Sequence, residues 1–177
     1  MEVGTAGQLA THIQRETDRR HGETPLLVAV DGRSGAGKTG LTNTLLELLA
    51  RAEVPAAAFR LDDMYQGWRG LLPAVESWQQ MSHRIVSGQD AGGWLGWDWA
   101  TNAPTSPYPF PALPLGGVLL VEGVGALCGS HDIGVWVQLP DVERKQRALA
   151  RDGQTYIPYW DTWAKQEEEL FQRVRQV

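Results

Sequence analysis

The chain has 177 residues, a formal net charge of −5 and a single cysteine, Cys128. This length predicts one domain, residues 1–177, long enough to bury about 70% of the surface that the unfolded chain exposes. The negative charge argues against a nucleic-acid partner, because binding a phosphate backbone requires a basic face. One cysteine cannot form an internal disulfide, which suits the reducing cytoplasm. No apolar run approaches the ~20 residues of a membrane span and no signal-peptide segment is present, so we expect a cytoplasmic protein that does not bind membranes.

The predicted elements alternate between helices and strands along the chain. They are a helix over 6–20, a strand over 26–31, a helix ending near residue 53, a strand over 55–61, a helix over 73–90, strands over 117–122 and 133–139, and helices over 141–151 and 159–175. Asp141 is the expected N-cap of its helix, and Gly153 lies near the C-cap. The proline-rich stretch 100–114 is predicted to be an irregular loop. This alternation predicts an α/β fold, in which a parallel sheet of four to five strands is covered by helices on both faces.

The segment after the first predicted strand carries the clearest chemical signal. It fits the phosphate-binding loop pattern, Gly, four residues, Gly-Lys-Ser/Thr, in the residues Gly32, Arg33, Ser34, Gly35, Ala36, Gly37, Lys38 and Thr39. Glycines allow successive N–H groups to turn inward around a triphosphate, and the following helix presents its positive N-terminus to the same anion. A buried strand precedes the loop and a leucine-rich helix follows it, as this mechanism requires. We therefore expect Lys38 to contact the β- and γ-phosphates of a nucleotide and Thr39 to bind Mg²⁺.

Carboxylates follow three of the four predicted strands. Ligands of an open parallel sheet bind beyond the carboxyl ends of its strands, which is where Asp31, Asp62, Asp63 and Glu122 fall. Carboxylates beside a triphosphate can hold Mg²⁺ or accept a proton from an attacking hydroxyl. For Asp31 a functional role and a purely structural role at the start of a turn are equally consistent with the sequence. For Asp62 and Glu122 the sequence favours a functional role.

Three arginines lie on one face of the predicted helix at 141–151. Arg144, Arg147 and Arg151 have the spacing i, i+3, i+7, so together they could close over the phosphates and stabilise the charge of the transition state. The alternative is a solvated helix face on which they pair with Glu143 and Asp152. We favour function, chiefly for Arg147 and Arg151.

The last predicted helix has an apolar stripe that one acidic residue interrupts. The stripe consists of Trp160, Trp163, Leu170, Phe171 and Val174. The interrupting residue is Glu167, for which we expect a position at the edge of the helix. Pairing with one of the arginines of the preceding helix is the alternative.

These motifs together resemble the P-loop kinases of the uridine kinase and phosphoribulokinase type, over about residues 26–152. The resemblance lies in the phosphate loop, in Leu61-Asp62-Asp63-Met64-Tyr65, in the strand end Glu122-Gly123 and in the run from Arg147 to Asp152. It implies a three-layer P-loop fold, ATP and Mg²⁺ as cofactors, and a lid over about 144–160. It also implies site roles: Asp62 as the catalytic base and a metal-site residue, Tyr65 at the acceptor, Glu122 beside Mg²⁺, and Arg147 and Arg151 on the phosphates.

A tryptophan-rich segment, about 64–114, occupies the place of the acceptor-site insertion in such kinases. Trp97-Asp98-Trp99 resembles the aromatic-Asp-aromatic motif of their acceptor site. The rings could stack on a planar acceptor or fill a core below a long loop. Asp98 would need a buried partner, either a substrate hydroxyl or an arginine. The candidate acceptor residues are Tyr65, Trp68, Arg84, Trp97, Asp98 and Trp99, with Trp94 and Tyr108 as further candidate walls. Asn102 and Pro104 stand where uridine kinases have His and Arg, so the resemblance does not extend to the pyrimidine contacts.

The sequence therefore predicts an ATP- and Mg²⁺-dependent kinase that phosphorylates a hydroxyl of a small metabolite, with a nucleoside as the first candidate. A nucleoside monophosphate kinase is the alternative, with Arg60, Arg69 and Arg84 available to hold the acceptor's phosphate. A third hypothesis is an ATP-binding module that hydrolyses slowly or not at all. A GTPase switch is disfavoured, because the chain has no Asn-Lys-x-Asp run. The acceptor, the preference for ATP over GTP and the oligomeric state stay open.

Overall fold

The structure is a computed structural model that describes residues 5–20 and 24–174. In chain order the strands are β1 (Leu26–Asp31), β2 (Ala56–Arg60), β3 (Gly93–Asp98), β4 (Ala103–Pro109), β5 (Val118–Glu122) and β6 (Ile133–Trp136). The α-helices are α1 (Ala6–Arg19), α2 (Lys38–Arg51), α3 (Leu71–Val86), α4 (Asp141–Tyr156) and α5 (Trp160–Val174). Helices and strands alternate up to α3; strands β3 to β6 then follow one another without an α-helix between them, and α4 and α5 come last.

The central sheet contains four parallel strands in the order β2-β5-β1-β6. Every residue of the two inner strands, β1 and β5, is buried, because helices cover both faces of a parallel sheet. The predicted α/β fold with a parallel sheet of four to five strands is confirmed. The order matters for the site, since the carboxyl ends of β2, β5 and β1 lie side by side at one edge of the sheet.

Two hydrophobic clusters fix the helices on the sheet. In one cluster α1 and α2 pack through Ile13 and Leu45, and in the other α3 packs through Trp78; all three side chains are fully buried. Along β1, Val28 belongs to the first cluster and Leu27 to the second, because successive side chains of a strand point to opposite faces. Among the helices that the structure describes, none is long and apolar enough to cross a membrane.

A β-hairpin stands outside the central sheet. Strands β3 and β4 pair antiparallel, with Trp97 opposite Pro104, and three of the seven residues of β4 are proline. The predicted irregular loop over 100–114 was therefore wrong for Ala103–Pro109. Proline's fixed φ suits an extended edge strand as well as a loop, so composition alone did not separate the two.

Helix α4 is capped differently from the prediction and ends later. Its N-cap is Pro140, and Asp141 makes no cap bond; the Asp141 carboxylate instead accepts a hydrogen bond of 2.7 Å from Arg144 Nε. Gly153 does not end the helix but lies inside it with φ 54° and ψ −136°, a conformation that kinks the chain. The kink sets the direction of the last turn, which ends at Tyr156.

Candidate active site

The phosphate loop connects β1 to α2 and is held close to the rest of the chain at two glycines. A Cβ atom at Gly32 would lie 2.2 Å from the Val137 carbonyl oxygen, and one at Gly35 would lie 2.0 Å from the Arg144 carbonyl oxygen. Only glycine fits at these two positions. Gly35 also has φ 82°, a left-handed conformation that glycine adopts without strain. The loop is thus seated against the chain after β6 and against the first turns of α4.

Helix α2 begins directly at the end of this loop. Its N-cap, Gly37, has φ 102°, and no side chain in the described part of the chain caps the helix. Lys38 is largely buried, and its Nζ donates hydrogen bonds to the carbonyl oxygens of Gly32 at 2.8 Å and Arg33 at 3.3 Å. The ammonium group therefore lies across the mouth of the loop. Backbone N–H groups, a helix N-terminus and a lysine at one point form an anion-binding arrangement.

A cavity of about 510 Å³ opens at the carboxyl ends of the strands, beside the phosphate loop. Its walls contain Ser34, Gly35, Gly37, Lys38 and Thr39 of the loop, the carboxylates of Asp62, Asp63 and Glu122, the arginines Arg147 and Arg151, and the rings of Tyr65, Trp68, Trp99, Tyr156 and Trp163. One concave site thus brings together the loop, the acids and the arginines, which are far apart along the chain.

Glu122, at the end of β5, is buried beside the start of α2. The Thr39 hydroxyl donates a hydrogen bond of 2.9 Å to Glu122 Oε1, and Arg60 Nε lies 3.5 Å from the same oxygen. Burial raises the pKa of Glu122, and the negative charge of Asp62 raises it further. A hydroxyl and a carboxylate in contact are hard oxygen ligands of the kind that Mg²⁺ uses.

These oxygens suit a Mg²⁺ ion that is bound partly by the protein and partly by phosphate and water better than they suit a metal ion bound by protein side chains alone. In the described residues, no group of three or more His, Cys, Asp or Glu side chains could hold a metal ion. Mg²⁺ in nucleotide sites characteristically takes one or two protein ligands together with phosphate oxygens and water. Thr39, Glu122 and Asp62, which line the same cavity, suit that mode of binding.

Asp62 lies in a short 3-10 turn, Leu61–Met64, directly after β2. Its side chain lines the cavity and is exposed to solvent. The pKa of neighbouring Asp63 is raised, first by burial and second by the charge of Asp62. An exposed carboxylate at the mouth of a phosphate site can accept a proton from an incoming hydroxyl.

We expect Asp62→Asn to make the protein more stable at neutral pH. Glu122 has a higher pKa in the folded protein than its ordinary value of 4.5, so the stability that it contributes is fully present below pH 4.5 and is lost as the pH rises through the folded value. Removing the Asp62 charge makes that loss smaller. The gain at pH 7 should stay below about 1 kcal/mol, because Asp62 is exposed, and it should shrink at pH 4.

Urea unfolding of the variant and of the parent protein at pH 7 and pH 4 measures this difference. Glu47→Gln is the matched control, because it removes one exposed negative charge from α2. A difference between Asp62→Asn and the parent that is the same at both pH values would contradict the electrostatic explanation.

The three arginines of α4 divide into two groups. Arg147 and Arg151 line the cavity, and Arg147 Nη2 donates a hydrogen bond of 2.8 Å to Glu143 Oε1. Arg144 is buried beneath the helix, with 4% of its surface exposed. The expected stripe of three arginines facing the phosphates is therefore wrong for Arg144. The i, i+3, i+7 spacing places the three on adjacent positions, and one of them turns into the core.

Aromatic rings form a further part of the cavity wall. The ring of Trp68 stacks on Tyr156 at 5.0 Å and on Tyr159 at 4.9 Å, and it contacts Trp99 at 4.9 Å. Gln166 Nε2 on α5 donates a hydrogen bond of 2.7 Å to the Trp68 carbonyl oxygen. This wall joins the hairpin, the end of α4 and the start of α5. It therefore combines the two aromatic roles that the sequence left open, because Trp68, Trp99 and Tyr156 both pack within this cluster of rings and line the cavity.

Three of the candidate acceptor residues lie elsewhere than the cavity wall. Arg84 borders a second cavity and donates a hydrogen bond of 2.6 Å from Nε to the Asp90 carbonyl oxygen. Asp98 is partly exposed and accepts hydrogen bonds from the N–H groups of Ala100 and Thr101, which shape the hairpin turn. The expectation that Asp98 is a buried carboxylate, which would need a substrate hydroxyl or an arginine as its partner, was wrong.

Trp97 and Trp94 pack on neighbouring elements of the insertion. A Cβ atom at Gly67 would lie 3.3 Å from Trp97 Cζ2, so the indole covers that glycine. The ring of Trp94 meets Phe59 edge-on at 5.5 Å and Tyr108 at 5.1 Å. Both indole N–H groups are buried without a hydrogen-bond partner among the described residues. The alternative of a core below a long loop describes these two rings.

Asp31 has a structural position. Its buried carboxylate accepts hydrogen bonds from the N–H groups of Gly32, Gly125 and Leu127 at 2.6, 2.9 and 2.9 Å. Burial is the largest influence on its pKa and raises it, against those three bonds. Asp31 thus joins the end of β1 to the chain after β5, which matches the turn alternative of the sequence interpretation.

Sequence reasoning missed a set of contacts between α5 and the phosphate loop. Glu167 is fully buried, and its Oε1 accepts a hydrogen bond of 2.8 Å from the Ser34 N–H. Trp163 Nε1 donates to Ser34 Oγ at 2.9 Å, and Glu168 forms an ion pair with Arg33. The expectation that Glu167 lies at a helix edge was wrong. An acid that interrupts an apolar stripe was the available signal, because such a residue is either exposed or fully partnered.

Tyr65 anchors the turn that carries Asp62. Its hydroxyl is buried and donates a hydrogen bond of 3.0 Å to the Val124 carbonyl oxygen, and its ring lies 4.9 Å from that of Trp163. We expect Tyr65→Phe to lower the free energy of unfolding by about 1–3 kcal/mol, because the buried carbonyl loses its partner. Tyr108→Phe, at an exposed tyrosine, should change it by less than about 0.5 kcal/mol. Chemical denaturation of both variants measures the contrast, and equal effects would contradict the anchoring role.

Two solved structures share this architecture. A protein from Silicibacter sp. TM1040, provisionally named a fructose transport system kinase, superposes with a TM-score of 0.59 and 22% sequence identity, over 84% of this chain and 82% of that chain. A protein from Bacillus stearothermophilus, described as a possible uridine kinase, superposes with a TM-score of 0.50 and 19% identity, over 91% of this chain and 94% of that chain. No protein-family model and no curated protein sequence matches the chain. At these sequence identities the comparison shows the fold alone, and this chain has the fold of the P-loop kinases.

Proposed function

We propose that this protein is an ATP- and Mg²⁺-dependent kinase that transfers the γ-phosphoryl group to a hydroxyl of a small metabolite, with a nucleoside as the first candidate. The observation that carries the proposal is the single cavity in which the phosphate loop, the Thr39–Glu122 pair and Asp62 meet. P-loop kinases need each of these three parts, for binding the triphosphate, for the metal and for the acceptor hydroxyl. The shared fold of two proteins named as kinases supports the same conclusion.

Each side chain of the cavity then has a chemical task. The N–H groups of the loop and the Lys38 ammonium bind the phosphates, for which Lys38 exchanges its carbonyl partners for phosphate oxygens. Mg²⁺, when bound, supplies positive charge against the β- and γ-phosphates. Asp62 orients the acceptor hydroxyl and takes its proton as the new O–P bond forms and the bond from the γ-phosphorus to the β–γ bridging oxygen breaks, so that ADP leaves. Arg147 and Arg151, on α4, stabilise the charge that spreads over the transferred group.

The acceptor side of the cavity suits a neutral molecule with a flat face. Trp99 lines the cavity and is exposed, so its ring can stack on a nucleobase, while Trp68, stacked on Tyr156 and Tyr159, supports it. A sugar can also lie against such a face through its C–H groups. The names of the two structural neighbours point to one acceptor of each kind, a nucleoside and a sugar. A nucleoside contains both parts, so we place it first.

The arrangement gives less support to a nucleoside monophosphate as acceptor. Such an acceptor needs fixed positive charge beside its phosphate. Arg60 is paired with Glu122 and contacts Asn43 at 3.4 Å, and Arg84 borders the other cavity. Arg69 is absent from the residues that line the candidate site. None of the three arginines that the sequence offered for this role is among the residues that line the candidate cavity.

A screen with γ-labelled ATP and Mg²⁺ tests the proposal. The purified protein is incubated with panels of nucleosides, nucleoside monophosphates and sugars, and labelled products are separated from ATP and free phosphate. We expect label transfer to one or more unphosphorylated alcohols, and its loss in Asp62→Asn. Transfer to monophosphates alone would establish the alternative kinase. Release of phosphate at one rate with every acceptor, or no turnover despite ATP binding, would indicate an ATP-binding module.

A further inference from the structure

A buried carboxylate joins three parts of the molecule beneath the candidate site. Glu167 on α5 is fully buried, and its Oε1 accepts hydrogen bonds from the Ser34 N–H at 2.8 Å and from Trp163 Nε1 at 3.2 Å. Its Oε2 lies 3.5 Å from Arg144 Nη1. Arg144 is itself buried on α4, where its guanidinium also bonds Asp141 and lies 5.3 Å from the centre of the Trp160 ring. The phosphate loop, α4 and α5 therefore share one charged cluster.

The buried charges of this cluster are compensated by hydrogen bonds and by each other. A buried carboxylate is strongly unfavourable unless hydrogen bonds and an opposite charge compensate it. Glu167 has both, and its principal partner is a backbone N–H of the loop rather than a side chain that could turn away. Trp163 adds a second fixed point, because its Nε1 also bonds Ser34 Oγ. Trp163 and Glu167, one helical turn apart on α5, thus both bind the first half of the loop at Ser34.

The same cluster reaches the arginines of the cavity. The Arg144 carbonyl lies against Gly35 of the loop, at the point where a Cβ atom would clash at 2.0 Å, while the Arg144 side chain extends to Glu167. Arg147 and Arg151 follow on the same helix and line the cavity. Any movement of Glu167 would therefore disturb both the loop that holds the phosphates and the helix that carries these two arginines.

We propose that Glu167 is a positioning residue, which sets the shape of the phosphate loop through Ser34 and the position of α4 through Arg144. This inference rests on the proposed function and adds a residue to it. Glu167 does not line the cavity, so it acts through the residues it holds and not by touching the nucleotide. A loop that is already shaped binds the triphosphate without first losing conformational entropy.

Replacing Glu167 should weaken nucleotide binding more than it affects the acceptor. Glu167→Gln keeps an oxygen that can accept the Ser34 N–H bond but removes the charge that faces Arg144, whereas Glu167→Ala removes both. We expect the Kd for ATP and for inorganic tripolyphosphate to rise about tenfold in Glu167→Gln and further in Glu167→Ala, by analogy with the loss of groups that support metal ligands. The KM for ATP should rise with it, while the KM for the acceptor stays close to normal. A general loss of stability would not separate the two substrates.

Titration calorimetry on the full chain measures both Kd values, and thermal unfolding checks that each variant is folded at the temperature of the titration. Asp161→Asn is the matched control, since it removes an exposed acid from the same helix and should leave both Kd values unchanged. If the single variants do not fold, Glu167→Gln combined with Arg144→Met removes both buried charges together, which folded proteins tolerate better. That double variant should bind tripolyphosphate as weakly as we expect of Glu167→Gln.

The outcomes separate this inference from the proposed function. If the parent protein binds tripolyphosphate and folded Glu167 variants bind it equally well, the positioning role is overturned and the kinase proposal stands. If the parent protein binds neither ATP nor tripolyphosphate, the proposed function is overturned, and the role of Glu167 with it. Weaker binding in Glu167→Gln, with Asp161→Asn unchanged, supports the positioning role.

Discussion

Replacing Asp62 with asparagine should lower turnover by about 10²–10⁴-fold, the usual contribution of a general base. Asparagine has nearly the same size and keeps the turn after β2, but its amide cannot take the proton of the acceptor hydroxyl. The Kd for ATP should stay close to normal, because the triphosphate is held by Lys38 and the N–H groups of the loop, whereas Asp62 lies in the turn after β2. A fall in turnover at constant ATP affinity is therefore the expected result.

Single-turnover transfer from labelled ATP measures the chemical step, and calorimetry measures the Kd. Asp63→Asn is the closest control, because the neighbouring residue also lines the cavity and carries the same charge. It should reduce turnover much less than Asp62→Asn. Unchanged turnover in Asp62→Asn, or equal losses in the two variants, would remove Asp62 from its assigned role.

Replacing Lys38 with alanine should impair both nucleotide binding and transfer. The ammonium lies at the mouth of the loop, 2.8 Å from the Gly32 carbonyl oxygen, where it can turn to phosphate oxygens. Each charge-assisted hydrogen bond that it makes to phosphate is worth about 1.5–3 kcal/mol. With two such bonds, we expect ATP affinity to fall by about 10²–10⁴-fold and transfer to become undetectable in the same assay.

Calorimetry with ATP measures the loss, and thermal unfolding shows whether the variant is folded. Lys165→Ala is the control, because it removes an exposed lysine from α5 and should leave ATP affinity unaltered. Normal ATP affinity in Lys38→Ala would mean that the loop at 32–39 does not hold the triphosphate.

The parts of the fold that the sequence predicted are those with strong local patterns. The strand at Leu26–Asp31 is a continuous apolar run, and the loop after it has a spacing that few other structures use. Helix α2 starts at Lys38, as the loop pattern requires. These elements depend on residues close in sequence, and their bounds agree with the prediction to within a few residues.

The parts that the sequence did not predict depend on contacts between distant residues. Glu167 bonds the N–H of Ser34, which precedes it by 133 positions, and no pattern within α5 names that partner. Its pairing with Arg144, 23 positions earlier, was the alternative that the sequence left open. Arg84 and Asp98 lie in a segment whose fold the sequence did not predict. Their residue types indicated which groups they can bind, but not that they lie away from the cavity. The placement of Thr39 beside Glu122, a contact between residues 83 positions apart, could be anticipated only because strand ends meet at one edge of a parallel sheet.

The proline-rich strand of the hairpin has a consequence for the behaviour of the protein in solution. A two-stranded ribbon outside the main sheet has unpaired main-chain groups along its sides, and these can recruit an extended segment of another molecule. Pro104, Pro107 and Pro109 in β4 have no N–H group to offer such a segment. Intermolecular strand pairing along β4 is thereby weakened, so the hairpin can stand outside the main sheet with a lower tendency to recruit extended segments of other molecules.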